Sequence, residues 1–312
     1  MYLLFLLSAF SASTYTIGKV LLQYCPPIFL IGVRLVVSGM IFLGYFWLRG
    51  ERLPKLIKQD YWLFAQVSFF CFYFAYIMEF WSLQYMTSAK TAFLYSLSPA
   101  MAALFSYFAF HEKMTYKKGL GLALSLLGSL PIIMAAAPAE GKSFFFLSLP
   151  ELGIFAAVVS FTYGWVAIRK GIKKHALPIT FLNGLGMLMG GIAALITAYI
   201  VEINGITNPH WVTSWLPITN MMPFIGWSLL LILFGNIVCY VLYGYLLQRY
   251  TATFVTFGEL ATPFFAALFG LLFLGEPIST SFIISMVILL SGLYIVYSEE
   301  KRQGYFDLKK KS

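Results

Sequence analysis

A repeated apolar run limits what this chain can become. From Thr87 through Ser98-Pro99 to His111-Glu112-Lys113, a long apolar stretch carries a proline near its middle and a glutamate just past its end. The pattern returns at Thr251, Pro263 and Glu276, displaced by 164 residues. At that offset 61–132 pairs with 225–296 without a gap and gives 14 identities in 72 pairs. They include Leu83-Gln84 with Leu247-Gln248, Ala102 to Phe105 with Ala266 to Phe269, and Gly128 with Gly292. Matched prolines, glutamates and glycines exceed what shared apolar composition supplies, so the chain reads as a tandem repeat.

The runs themselves reach or approach the roughly 20 residues that span a bilayer as helix. Hydrophobic residues make up 60% of the 312, charged residues only 11%, and mean hydropathy is +0.83, too few charges to cover a water-facing globule. The expectation is an all-α polytopic membrane protein with ten spans near 1–23, 27–48, 62–85, 88–110, 119–137, 149–170, 178–201, 222–247, 252–274 and 280–298. The first run lacks a basic leader and continues past its small-residue stretch, so it reads as a helix and not as a signal peptide. With the N terminus inside, 17 of the 21 lysines and arginines fall in inner segments or in the tail, against Lys142 alone in the outer loops. The net charge of +9 is thus the positive-inside bias of an inserted protein and needs no nucleic-acid partner. Cys25, Cys71 and Cys239 stand at unrelated spacings, with neither a disulfide framework nor a metal pattern.

Five spans per copy is an odd number, so the second copy enters the membrane upside down. The flanks agree: Lys113, Lys117 and Lys118 follow Glu112, whereas Pro277 to Ser281 after Glu276 contain no base. This divides the chain into repeats at 1–138 and 149–298 and a basic tail at 299–312 expected inside the cell. Inverted repeats that build a site near the midplane are the usual plan of secondary transporters. The residues now resemble a known family, the ten-helix EamA branch of the drug/metabolite transporter superfamily. Pro99 and Pro263, Glu112 and Glu276, and Gly128 and Gly292 carry the resemblance, together with Lys19 and Arg34. Glu259, four residues before Pro263, and Glu79 inside the third span depart from the common pattern, and Leu185 stands opposite Arg34 in the second copy. The resemblance implies a multi-pass transporter of the bacterial inner membrane that moves a small metabolite.

Lys19, Arg34, Glu79, Lys90 and Glu259 lie inside predicted spans. Each charge near the bilayer centre costs roughly 2.5–3.5 kcal/mol on insertion scales, so five together favour a wet cavity. Bland readings stand beside this one: Lys19 and Lys90 snorkel outward, or Arg34 and Glu79 form a static pair. Tyr95, aligned with Glu259, and Tyr15, one turn before Lys19, are the aromatic candidates. Trp165 suits the cavity or the inner aromatic belt, and Asn183 and Asn236 suit helix bridges or the cavity. Pro99 and Pro263 each free the carbonyl four residues earlier, on Tyr95 and Glu259, and mark a kink or hinge.

His111, His175 and His210 fall at span ends or in loops, so no catalytic or zinc constellation is evident and no cofactor is implied. Gly141-Lys142-Ser143 lacks the first glycine of a phosphate loop, Ala136 standing in its place, which leaves a gradient as the drive. The cation set with Glu79 and Glu259 predicts a zwitterionic cargo, with aromatic faces suited to an ammonium or sulfonium. Within the resembling family, amino acids are the general expectation and S-adenosylmethionine, exchanged for S-adenosylhomocysteine, the specific one. A drug exporter and a channel or scramblase are the alternatives. The sequence leaves the oligomeric state open, a monomer included.

Overall fold

A computed structural model describes residues 2–50, 54, 56–110, 115–128, 130–131, 143–144, 147–175, 177–203, 218–249 and 261–302. The described residues are almost wholly helical, as a lipid environment demands, because only a helix satisfies every backbone group within its own segment. In chain order the helices are α1 (Tyr2–Leu21), α2 (Pro27–Leu48), α3 (Lys58–Leu83), α4 (Ser88–Tyr95) and α5 (Ser98–Phe110). After them come α6 (Tyr116–Leu127), α7 (Leu149–His175), α8 (Ile179–Ile203), α9 (Met221–Leu246), α10 (Thr262–Leu274) and α11 (Thr280–Arg302). A two-residue hairpin, β1 (Ser143–Phe144) with β2 (Leu147–Ser148), precedes α7.

Seven of these helices are long and apolar enough to cross a bilayer: α1, α2, α3, α7, α8, α9 and α11. Of the other expected spans, 119–137 and 252–274 lie partly outside the described residues, and 88–110 is divided. The run 88–110 is broken at Ser96-Leu97, since Pro99 has no N–H to continue a helix from Tyr95. The described part of α10 begins at Thr262, with Pro263 in its first turn, where a missing N–H costs nothing. Large apolar side chains such as Phe5, Trp47, Ile196, Leu272 and Val287 are exposed on the outer surface, where lipid covers them.

Helix ends are sealed by local caps and, at α2, by a carboxylate from a distant helix. Pro27 opens α2, and the carboxylate of Glu202, at the end of α8, accepts from the backbone N–H groups of Ile28 and Phe29 at 2.8 Å each. A carboxylate there satisfies two orphan donors and meets the positive end of the helix dipole. Asp60 accepts from Ile57 N–H at 2.8 Å at the start of α3, and Thr87 caps α4. Gly50 and Gly275 end α2 and α10 at φ 64° and 66°, which a side chain disfavours.

α2 lies against α8 with glycines at the contact. A Cβ on Gly39 would sit 2.6 Å from the Leu188 backbone nitrogen, and one on Gly191 2.7 Å from that of Val36. The main core is built from α1, α2, α3, α7, α8 and α9, and a second cluster joins α4, α7, α10 and α11.

Candidate substrate-binding site

Four helices depart from α geometry in part, α8 and α10 at their ends and α3 and α9 within their length. α3 carries a π-helical segment at Val67–Phe74 and α9 one at Ile232–Val238. Such widened turns shift the side-chain register and recur at functional sites. Here the first leads into Tyr76 and Glu79, and the second contains Gly235 and Asn236. A cavity of about 90 Å³ opens between them, lined from α1, α2, α3, α4, α5, α7, α9 and α10.

Arg34 enters this cavity from α2 and is only 2% exposed. Its Nε donates to Asn236 Oδ1, and its guanidinium carbon lies 4.7 Å from the Tyr76 ring centre and 5.3 Å from that of Phe80. Both rings face a cation away from bulk water, the setting in which the attraction is strongest. Gly235 makes room: a Cβ there would approach the Arg34 Nη2 to 3.1 Å and Thr14 Cγ2 to 2.6 Å. The Arg34 Nη1 has no hydrogen-bond partner among the described residues, nor has Trp165 Nε1 or Thr262 Oγ1, and all three residues line the cavity. Buried donors are nearly always satisfied, so three orphans around one cavity mark a place that a polar ligand completes.

Glu79 lines the same cavity, 5% exposed, within the electrostatic reach of Arg34 and beside the Tyr95 hydroxyl. No Arg34–Glu79 ion pair forms among the described residues. An aromatic wall completes the enclosure. Trp165 stacks on Tyr243 with ring centres 4.1 Å apart and on Tyr240 at 5.4 Å, and Tyr15 packs on Tyr95 at 6.1 Å. The hydroxyls of Tyr76 and Tyr240 are hydrogen-bonded at 2.7 Å. A guanidinium, a carboxylate and ring faces in one cavity can hold a zwitterion that carries a flat ring.

Of the residues singled out in the sequence, Arg34, Glu79, Tyr95 and Tyr15 come together here, with Asn236 as the anchor of Arg34. Lys19 and Lys90 lie elsewhere. The Lys19 Nζ pairs with Glu276 Oε1 at 2.8 Å and donates to the Met86 carbonyl at 2.5 Å. The Lys90 Nζ pairs with Glu151 Oε1 at 2.8 Å, almost fully buried on both sides. Glu276 also accepts from the Ser88 N–H at 2.9 Å. Glu259 and Glu112 lie outside the described residues. Sequence reasoning passed over Tyr76, Tyr240, Tyr243, Gly235, Glu151 and Glu202. A signal existed for one pair: Tyr76 and Tyr240 are identical residues at the 164-residue offset.

Residues 1–134 and 148–298 match the EamA-like transporter family. The chain belongs to that family. Relatives of this EamA-family protein include an S-adenosylmethionine/S-adenosylhomocysteine transporter of Chlamydia trachomatis, 31% identical over 97% of this chain and 90% of the relative. A protein of Chlamydia muridarum under the same name is 32% identical over 97% of this chain and 93% of the relative. A solved crystal structure superposes with a TM-score of 0.68 at 15% identity, over 97% of each chain, which is a likeness of fold. The EamA-family chain is thus a multi-pass membrane transporter and not an enzyme.

Proposed function

We propose that this protein takes up S-adenosylmethionine across the bacterial cytoplasmic membrane in exchange for S-adenosylhomocysteine. The juxtaposition in one cavity of the Arg34 Nη1, the Glu79 carboxylate and the Trp165/Tyr240/Tyr243 wall carries the reading. Arg34 Nη1 donates to the cargo's carboxylate, which completes its missing hydrogen bond, and Glu79 holds the amine. The ring faces pack the adenine and attract the sulfonium. Two relatives with full-length similarity and that named substrate pair support the choice over other zwitterions.

At about 90 Å³ the cavity has room for a few waters and not for a nucleoside-sized cargo. Binding therefore accompanies a parting of the lining helices, as alternating access requires. Two five-helix repeats of opposite orientation, 1–138 and 149–298, supply the moving parts in this reading. Both termini lie in the cytoplasm.

Uptake of radiolabelled S-adenosylmethionine into cells that express the protein tests this directly, with S-adenosylhomocysteine and an amino-acid panel as competitors. Saturable uptake, competed by S-adenosylhomocysteine and accelerated when that compound is preloaded, is the expected result. Inserted protein that gives no uptake above vector controls refutes the cargo assignment.

A further inference from the structure

Away from the central cavity, α3 and α7 form a groove on the outer surface with two unlike halves. At one end a cleft of about 490 Å³ is lined by Lys58, Gln59, Trp62 and Gln66 of α3 and by Lys170 and His175 of α7. Further along the same helices, a trough of about 430 Å³ runs between Phe69, Phe70 and Phe74 on α3 and Val159 and Tyr163 on α7, with Phe105 of α5 beside them. Gln66 Nε2 donates to the Tyr163 hydroxyl at 3.0 Å and so joins the two halves. The trough is carbon-lined. Its two hydroxyls are both engaged, that of Ser160 donating to the Phe70 carbonyl at 2.7 Å and that of Tyr163 accepting from Gln66.

We infer that this groove binds one anionic phospholipid, with its phosphate between Lys58 and Lys170 and an acyl chain along the phenylalanine trough. Charge supports the head end. Neither Lys58 nor Lys170 forms an ion pair among the described residues, and both side chains are exposed. The nearby acid, Asp60, is buried and turned inward, between His175 at 2.5 Å and the Ile57 N–H. A phosphate thus meets two unpaired ammonium groups and the Gln59 amide. Trp62 and Tyr61, 68% and 64% exposed, sit beside the cleft as aromatic residues do at the headgroup level.

Length supports the tail end. From Lys58 to Phe74 the helix climbs about 24 Å at ~1.5 Å per residue, past the midplane of a hydrocarbon core about 30 Å thick. A free phosphate would use the cleft and leave the trough uncovered. A zwitterionic lipid would bring its own cation against the lysines. An anionic phospholipid matches both halves, and basic pockets between membrane helices hold such headgroups.

The test uses purified full-length protein in neutral mixed micelles that contain brominated phosphatidylglycerol or brominated phosphatidylcholine. Subtracting the quenching seen in Trp62→Phe isolates the signal of Trp62. Half-quenching of Trp62 is expected at a three- to tenfold lower fraction of phosphatidylglycerol than of phosphatidylcholine. The preference should vanish in Lys58→Gln/Lys170→Gln and shrink in 0.5 M salt. Should the double variant fail to fold, the salt dependence of the wild type still decides. Ala156→Phe, which fills the trough, should abolish the advantage of long-chain over dihexanoyl phosphatidylglycerol as competitor. Equal quenching by both lipids, or a preference that survives loss of both lysines, overturns the proposal. So does displacement of the lipid by inorganic phosphate as effectively as by dihexanoyl phosphatidylglycerol.

Discussion

Arg34 is fixed on three sides, by Asn236 and by the rings of Tyr76 and Phe80, while its Nη1 is left for the cavity. A hydrogen bond to a charged group is worth about 1.5–3 kcal/mol, which is roughly 10- to 150-fold in affinity. Arg34→Gln should weaken S-adenosylmethionine by about that factor in a competition uptake assay. Arg34→Lys should recover little, because a point charge cannot reproduce the planar fork between the rings. The decarboxylated analogue of S-adenosylmethionine, which has nothing for Arg34 to hold, should bind Arg34→Gln and wild type equally well. Equal losses for both ligands would mean that Arg34 only supports the fold. The cost of burying charge was enough to select Arg34 and Glu79 from the sequence. The same cost could not separate them from Lys19 and Lys90, since depth in a span says nothing about the direction a side chain faces. Those lysines meet Glu276 and Glu151, partners that only the folded chain brings near.

Elements were legible where a residue changes the backbone and obscure where packing does. Pro26-Pro27 starts α2, and Pro99 stands where the run from Ser88 breaks into two helices. The widened turns of α3 and α9 left no such mark, because runs apolar on every side have no polar face from which to read a period. The closeness of α2 and α8 rests on glycines, which let two backbones meet without a hydrophobic driving force. Gly191→Leu should therefore destabilise by about 1–3 kcal/mol or more, the usual range for overpacking, since the atom that the new side chain meets first is the backbone nitrogen of Val36, which a helix holds in place. Gly44 makes the control. It lies in α2 with nothing within 4 Å of its missing Cβ, so Gly44→Ala should be neutral or should stabilise by up to ~1 kcal/mol. Fluorescence-detected thermal melts in detergent would measure both, and a Gly191→Leu melt equal to wild type would refute the tight contact.

At the scale of the whole molecule, helices paired by the repeat touch one another. Tyr76 and Tyr240 share a hydrogen bond between α3 and α9 at the repeat offset of 164. Across α6 and α11, a Cβ on Gly128 would lie 2.9 Å from the Leu289 nitrogen. Contacts between equivalent elements are what a twofold axis through the cavity would require, and they support the inverted-repeat reading. One group of polar ties gathers at a single end, the outer end in the proposed topology. Lys19–Glu276, Lys90–Glu151, Glu202 on the start of α2 and the Thr219 N–H on the Tyr24 carbonyl at 2.9 Å all lie there. If that end closes and reopens during exchange, the pair nearest its surface must break in each cycle. Lys19–Glu276 is that pair, with side chains 26% and 11% exposed, so its rupture costs far less than that of the buried Lys90–Glu151. Lys19→Glu and Glu276→Lys should each lower exchange about tenfold by placing like charges together, and the double swap should restore most of it. Binding of S-adenosylhomocysteine to the purified variants should change by less than threefold, because neither residue lines the cavity. A swap no more active than either single variant would show that the two positions act separately, and that this end is held shut by something other than their charge.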